Sequence, residues 1–133
     1  MTIDRRLDPE TDVLWTTMRD GITLDDLRQH IEALDEMEAH RYREIVDARG
    51  AEPLFVLKEF AEIARLARQN FGHRRMAPRA IVVDEKDLRA FGLARIFATL
   101  VSPWITLRVF DNVQAAIAFV TVQVDGREAS APE

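Results

Sequence analysis

With 133 residues, 47% of them hydrophobic and 31% charged, the chain has the balance of one globular domain and is long enough to bury a core. It has no cysteine, which excludes disulfides, thiolate metal sites and a cysteine nucleophile. No apolar run approaches the roughly 18–20 residues of a membrane span, and the opening MTIDRRLDPE has no apolar signal-peptide core, so a cytoplasmic protein is expected. The net charge of −5 gathers in the first half, where residues 1–50 hold 7 Lys and Arg against 13 Asp and Glu. That imbalance argues against nucleic acid as a partner, because such binding relies on neutralising phosphates.

Ile3 to Leu7 and Val13 to Met18 read as two strands joined by a turn at Asp8-Pro9-Glu10-Thr11-Asp12, a hairpin, with Asp20-Gly21 breaking the second strand. Thr23 then stands at an N-cap, with Asp26 in the capping-box position. Leu24, Leu27, Ile31 and Leu34 follow at helical spacing, so this helix shows one apolar face and one charged face. A third strand is expected around Tyr42 to Val46, closed by a turn at Asp47-Ala48-Arg49-Gly50. Pro53 suits the first turn of the next helix, expected over Leu54 to Gln69 with Leu54, Leu57, Phe60, Ala61, Ala64 and Ala67 inward.

Ala80 to Val83 is a short continuous apolar run, the pattern of a strand covered on both faces. Leu88 to Leu100 reads as a helix with Leu88, Phe91, Ile96, Phe97 and Leu100 in the core. Gly92 inside it calls for close packing against a neighbour, because glycine there costs about 1 kcal/mol against alanine. Ile105 to Phe110 is the last strand, and Asp111 caps a short helix from Val113 to about Val120. Residues 1–125 make one domain, and the small, polar end 126–133 is expected to fray. The order β-β-α-β-α-β-α-β-α predicts an α/β fold with a mostly parallel sheet and one antiparallel strand at its N-terminal end.

The C-terminal half carries a more specific pattern. Gly92-Leu93-Ala94-Arg95-Ile96-Phe97 on a helix, Leu107-Arg108-Val109-Phe110-Asp111 on a strand, and Ala115-Ala116 in a short helix together resemble the bacterial STAS-like proteins grouped with anti-sigma-factor antagonists. The resemblance implies a four-turn β/α superhelix, compared in fold with CRAL-TRIO lipid-carrying domains, and a binding or regulatory module that is not an enzyme. In the phosphorylatable antagonists the turn matching Asp47 to Gly50 reads Asp-Ser-Ser-Gly, and its second serine is modified. Arg49 stands at that position here, and the only serines, Ser102 and Ser130, are far off in sequence. A side chain of the opposite charge cannot act as a phosphoserine switch.

Several residues invite chemical readings. Asp47, Asp84, Glu85 and Asp111 fall at strand ends, where a magnesium-binding carboxylate cluster would sit in an open α/β sheet. Asp84, Asp87 and Asp111 equally suit helix N-caps, and no phosphate-cradling glycine loop accompanies them. No metal, cofactor or catalytic residue is therefore expected. His30, His40 and His73 lie on or beside charged helical stretches and read as surface residues. The basic cluster His73-Arg74-Arg75 with Arg79 reads as a solvated loop.

Two functional expectations follow. The first is a protein partner held at Asp47, Arg49 and Gly50 with Phe55 in an exposed patch after the turn, arginine and aromatic residues being common interface anchors. The second is a small apolar, lipid-like ligand held among Phe60, Phe91, Phe97 and Trp104, because small-molecule pockets are mostly apolar and aromatic-lined. Homodimerisation through the edge of the N-terminal hairpin is a further expectation.

Overall fold

The computed structural model describes residues 2–129, with side chains through residue 121. Its elements run β1 (Ile3–Asp8), β2 (Val13–Ile22), α1 (Leu24–Glu36), a 3-10 turn (Ala39–Arg41), β3 (Arg43–Pro53), α2 (Leu57–Phe71), β4 (Arg79–Val82), α3 (Leu88–Val101), β5 (Leu107–Phe110) and α4 (Val113–Ala129). The five strands lie side by side in chain order, β1 antiparallel to β2 and the others parallel. This is the α/β architecture that the alternation of strands and helices predicts.

The strand period of two sorts the side chains between two cores. Val13, Ile45, Ala80 and Val82 face α4, where they meet Ala116 and Val120. Leu14, Ile22 and the inner residues of α1, α2 and α3 form the larger core on the other side. β4 is therefore covered on both faces, as its unbroken apolar run requires. Thr23 caps α1 as expected: its hydroxyl accepts from the Asp26 N–H at 3.0 Å and the Asp26 carboxylate accepts from the Thr23 N–H at 2.9 Å.

The structure departs from the sequence expectations in several places. Strand β2 does not break at Asp20-Gly21 but continues through an irregularity between Thr17 and Arg19, with Asp20 at a φ of 62°. Asp47 to Gly50 is not a turn. It lies within β3, whose far half pairs with the continuation of β2 in the register Arg19↔Gly50, Asp20↔Ala51, Gly21↔Glu52 and Ile22↔Pro53. Gly21 permits this ladder to come close to the chain beyond it, since a Cβ there would lie 2.5 Å from Leu54 Cδ1. Pro53 ends the strand instead of opening a helix, which its missing N–H allows at a strand end.

Helix α2 consequently starts at Leu57 and buries Phe60, Ile63, Ala64, Ala67 and Phe71, while Leu54 and Leu57 are exposed. α3 is rotated from its expected face. Ala90, Ala94 and Val101 are buried, whereas Leu88, Ile96 and Leu100 face outward. Apolar residues lie all around this helix, so periodicity alone did not select the inner stripe. No close neighbour calls for glycine at position 92: an added Cβ would meet no atom within 4 Å beyond its own helix backbone and chain neighbours. Asn112 caps α4 in place of Asp111, its side-chain oxygen accepting from the Ala115 N–H at 2.8 Å. α4 extends to Ala129, beyond the expected end at Val120. Of the tail expected at 126–133, residues 130–133 lie outside the described residues.

Candidate functional site

Strands β3, β4 and β5 send Glu44, Val46, Ala48, Arg79, Ile81 and Leu107 toward α1, α2 and α3, joined by Val83 just past β4. The helices do not close fully on this surface. They leave a pocket with a cavity volume of about 170 Å³. Its helix-side wall includes Leu27, Ile31 and Leu34 of α1, Phe60, Ile63, Ala67 and Phe71 of α2, and Ala90, Leu93, Ala94 and Phe97 of α3. Alanines at 48, 67, 90 and 94 contribute to the space, because each presents only a methyl group where a larger side chain would fill it.

The aromatic wall is ordered. Phe60 and Phe97 stack with ring centroids 4.9 Å apart and planes 24° apart, and Phe55 lies 4.9 Å from Phe60 at 39°. Such offset contacts add to the gain from burying the rings. Phe60 and Phe97 of the expected ligand group line the pocket, whereas Phe91 and Trp104 do not. Trp104 instead packs beside the larger core under the Arg68 guanidinium, which lies 5.2 Å from its ring centre. Phe55 also differs from its expected position: it is buried in the pocket wall and not part of an exposed patch. Its neighbours Leu54, Val56 and Leu57 are the exposed residues.

At the amino ends of β3 and β4 the pocket wall becomes polar. Glu44 and Arg79 occupy paired positions on the adjacent strands, with Arg79 Nε 3.4 Å from Glu44 Oε1. The other carboxylate oxygen accepts from the Thr16 hydroxyl at 2.6 Å and from His30 Nε2 at 3.2 Å. Arg5 Nη1 lies 3.0 Å from His30 Nδ1, and arginine can only donate. The ring hydrogen therefore lies on Nε2, where it meets Glu44. Arg79 also donates from Nη1 to the carbonyls of Tyr42 and Ala77 at 2.6 and 3.1 Å and from Nη2 to that of Ala39 at 2.7 Å.

Burial alone would push the Glu44 carboxyl up. His30, Arg79 and Thr16 outweigh it and hold Glu44 down at about 2. For Arg79, burial pushes the guanidinium down and Glu44 opposes that. Two sequence readings are corrected here: His30 is buried, not a surface residue, and Arg79 belongs to this internal network, not to a basic loop. His73 is exposed, and His40 is half-buried. The network was not recognised from the sequence, although it left a trace there. Glu44 alternates with Val46 on the inward face of β3, and His30 adjoins the apolar stripe of α1.

Asp47, Arg49 and Gly50 lie at a different place: Asp47 is the last residue of β3 paired with β4, opposite Val82, and Arg49 and Gly50 are on the part of β3 that extends past that pairing. Arg49 clasps Asp47, its Nε and Nη2 lying 2.9 and 2.8 Å from the two carboxylate oxygens. The Arg49 side chain holds the Asp47 carboxyl below the usual carboxylate range. Among the described residues, no group of three or more His, Asp or Glu side chains is placed to hold a metal ion, so Asp47, Asp84, Glu85 and Asp111 form no cluster. Asp84 accepts from the Lys86 N–H at 3.0 Å, and Asp87 caps α3 through the Ala90 N–H at 3.0 Å. Also among these residues, no helix is long and apolar enough to cross a membrane.

A crystal structure of an uncharacterized protein of the DUF3478 family from Shewanella loihica PV-4, described as having a SpoIIAA-like fold, superposes on this chain with a TM-score of 0.58. The superposition covers 89% of this chain and 91% of that one at 12% identity, which supports the likeness of fold. No curated protein matches by sequence. The SpoIIAA-like family profile matches residues 13–121, from the start of β2 into α4. This bears out the resemblance to STAS-like proteins drawn from Gly92 to Phe97 and Leu107 to Asp111, and the chain belongs to the SpoIIAA-like family.

Proposed function

We propose that this chain is a non-enzymatic, cytoplasmic SpoIIAA-like module that senses or carries a small apolar ligand in the pocket beneath α1, α2 and α3. The observation that supports this reading is the cavity of about 170 Å³, walled mainly by aliphatic and phenyl side chains. A core of this size ordinarily packs to crystal-like density, and a methyl-sized void already costs about 1 kcal/mol. A space this large is better explained by an occupant than by loose packing.

Native mass spectrometry of gently purified protein, beside an Ala94→Leu variant with the space filled, tests the reading. A reproducible added organic mass on the wild type that Ala94→Leu lacks is the expected result. A clean apo mass, combined with no saturable uptake of any added apolar probe, would overturn it.

A second reading, a protein partner, is favoured by the far half of β3. Gly50 to Pro53 pair with β2 alone among the described strands, which leaves a backbone edge open to an added strand. Gly50 opens that edge, and Asp47 and Arg49 lead into it. Partner capture with wild type and Arg49→Glu tests it, and identical partner sets would remove the assignment. β1 likewise pairs only with β2 among the described strands, and the same mass spectra report whether its edge makes a homodimer.

A further inference from the structure

The size and polarity of the pocket narrow the class of ligand, an inference that rests on the apolar-ligand reading above. An engineered apolar cavity of about 150 Å³ accommodates benzene, so a space of this kind holds about six carbons. The present cavity, about 170 Å³, is of that size and too small for a whole fatty-acid chain. The stacked pair of Phe60 and Phe97 adds flat surface against which a ring or a short chain would lie.

The polar end of the pocket is largely committed to protein partners. Both oxygens of Glu44, both ring nitrogens of His30 and all three guanidinium nitrogens of Arg79 already have protein partners. An entering carboxylate would face the negative charge of Glu44, with only the second hydrogen of Arg79 Nη2 left beyond that nitrogen's bond to Ala39. A neutral hydroxyl or amide would have to share Glu44 with Arg79, Thr16 and His30, and one that made no such bond would lose its water at a cost of the order of 1–3 kcal/mol. The rest of the lining is almost wholly apolar and favours hydrocarbon.

At the other end, Pro53, Phe55 and Ala90 line the pocket, and their chain neighbours Leu54, Val56 and Leu88 are exposed. Arg89 joins the two segments there, donating to the carbonyls of Pro53 and Phe55 at 2.7 and 2.8 Å. Exposed apolar side chains therefore frame this end of the pocket.

We propose that the pocket takes one hydrocarbon group of about six carbons, a ring or a short chain, inserted with its polar end left beside Leu54 and Leu88. A long-chain lipid would be held only by its tip, with no gain from the rest of the chain.

Calorimetric titration of the full chain with 1-butanol, 1-hexanol, 1-octanol, 1-decanol and benzene tests this. Affinity should rise roughly fourfold per methylene, the value of burying a CH₂ group, up to about six carbons. It should then level off to within about twofold per added pair of carbons, and benzene should bind at one site. Ala94→Leu, or Ala48→Val as a smaller change on the sheet side, should abolish benzene binding. A steady rise through decanol would overturn the size inference while leaving the apolar pocket standing. Saturable binding that survives both substitutions would place the ligand on the exposed leucines and overturn the site. If no probe binds saturably, this inference and the functional reading beneath it fall together.

Discussion

Replacing Glu44 with glutamine keeps the side-chain volume and removes the charge at the centre of the buried network. In the folded protein Glu44 titrates at about 2, against an ordinary 4.5. At about 1.4 kcal/mol per pH unit, that depression corresponds to on the order of 3 kcal/mol of stability. Because the folded value lies below the unfolded one, this stability is fully present above about pH 5. It is lost as the pH falls from there toward 2. The independent expectation for removing one partner of a buried ion pair is also about 3–5 kcal/mol. Here the lower end applies, because Arg79 keeps three carbonyl acceptors when the carboxylate is gone.

Urea unfolding followed by the fluorescence of Trp15 and Trp104 reads this directly. At pH 7 Glu44→Gln should be less stable by about 3 kcal/mol, and the gap should close as both proteins approach pH 2–3. The comparison cancels the other carboxylates, Asp47 included. A gap that stays constant from pH 7 to pH 3, or one below about 1 kcal/mol at pH 7, would show that Glu44 is not the buried, charged partner of His30 and Arg79.

Gly92→Ala should stabilise the protein by up to about 1 kcal/mol, read as a rise in thermal midpoint, because the new methyl group meets no neighbour and the helix gains propensity. A loss of stability would mean that α3 is packed at that position. Thr23→Ala should cost about 1 kcal/mol by removing the cap on α1, and serine at the same position should restore most of it. Arg49→Glu should change stability by less than about 1 kcal/mol, since the half-exposed pair with Asp47 is well screened. That makes it a fair probe of partner binding; a larger loss in urea unfolding would disqualify it.

Element order, the parallel sheet and the antiparallel first strand were legible in the sequence because hydrophobic period and cap chemistry are local. Thr23 with Asp26 marks the start of a helix wherever it occurs, and the apolar run Ala80 to Val83 has to be covered on both sides. The resemblance carried by Gly92 to Phe97 and Leu107 to Asp111 gave the family for a similar reason, since those residues are adjacent in the chain. Phe60 and Phe97 could be named as pocket candidates from their size and helical placement alone.

What the chain could not disclose locally was decided by pairing and by rotation. Asp47-Ala48-Arg49-Gly50 has the composition of a turn, yet β2 runs on beside it and supplies ladder bonds that outweigh local preference, so it is strand. The inner face of α3 was settled by contact with α2 and the sheet, which turned Ala94 inward and Leu88 outward. The polar network joins residues from five separate elements, Arg5 from β1, Thr16 from β2, His30 from α1, Glu44 from β3 and Arg79 from β4. Their charges are tolerable in the interior only because the fold brings all of them together, and no stretch of sequence holds more than one.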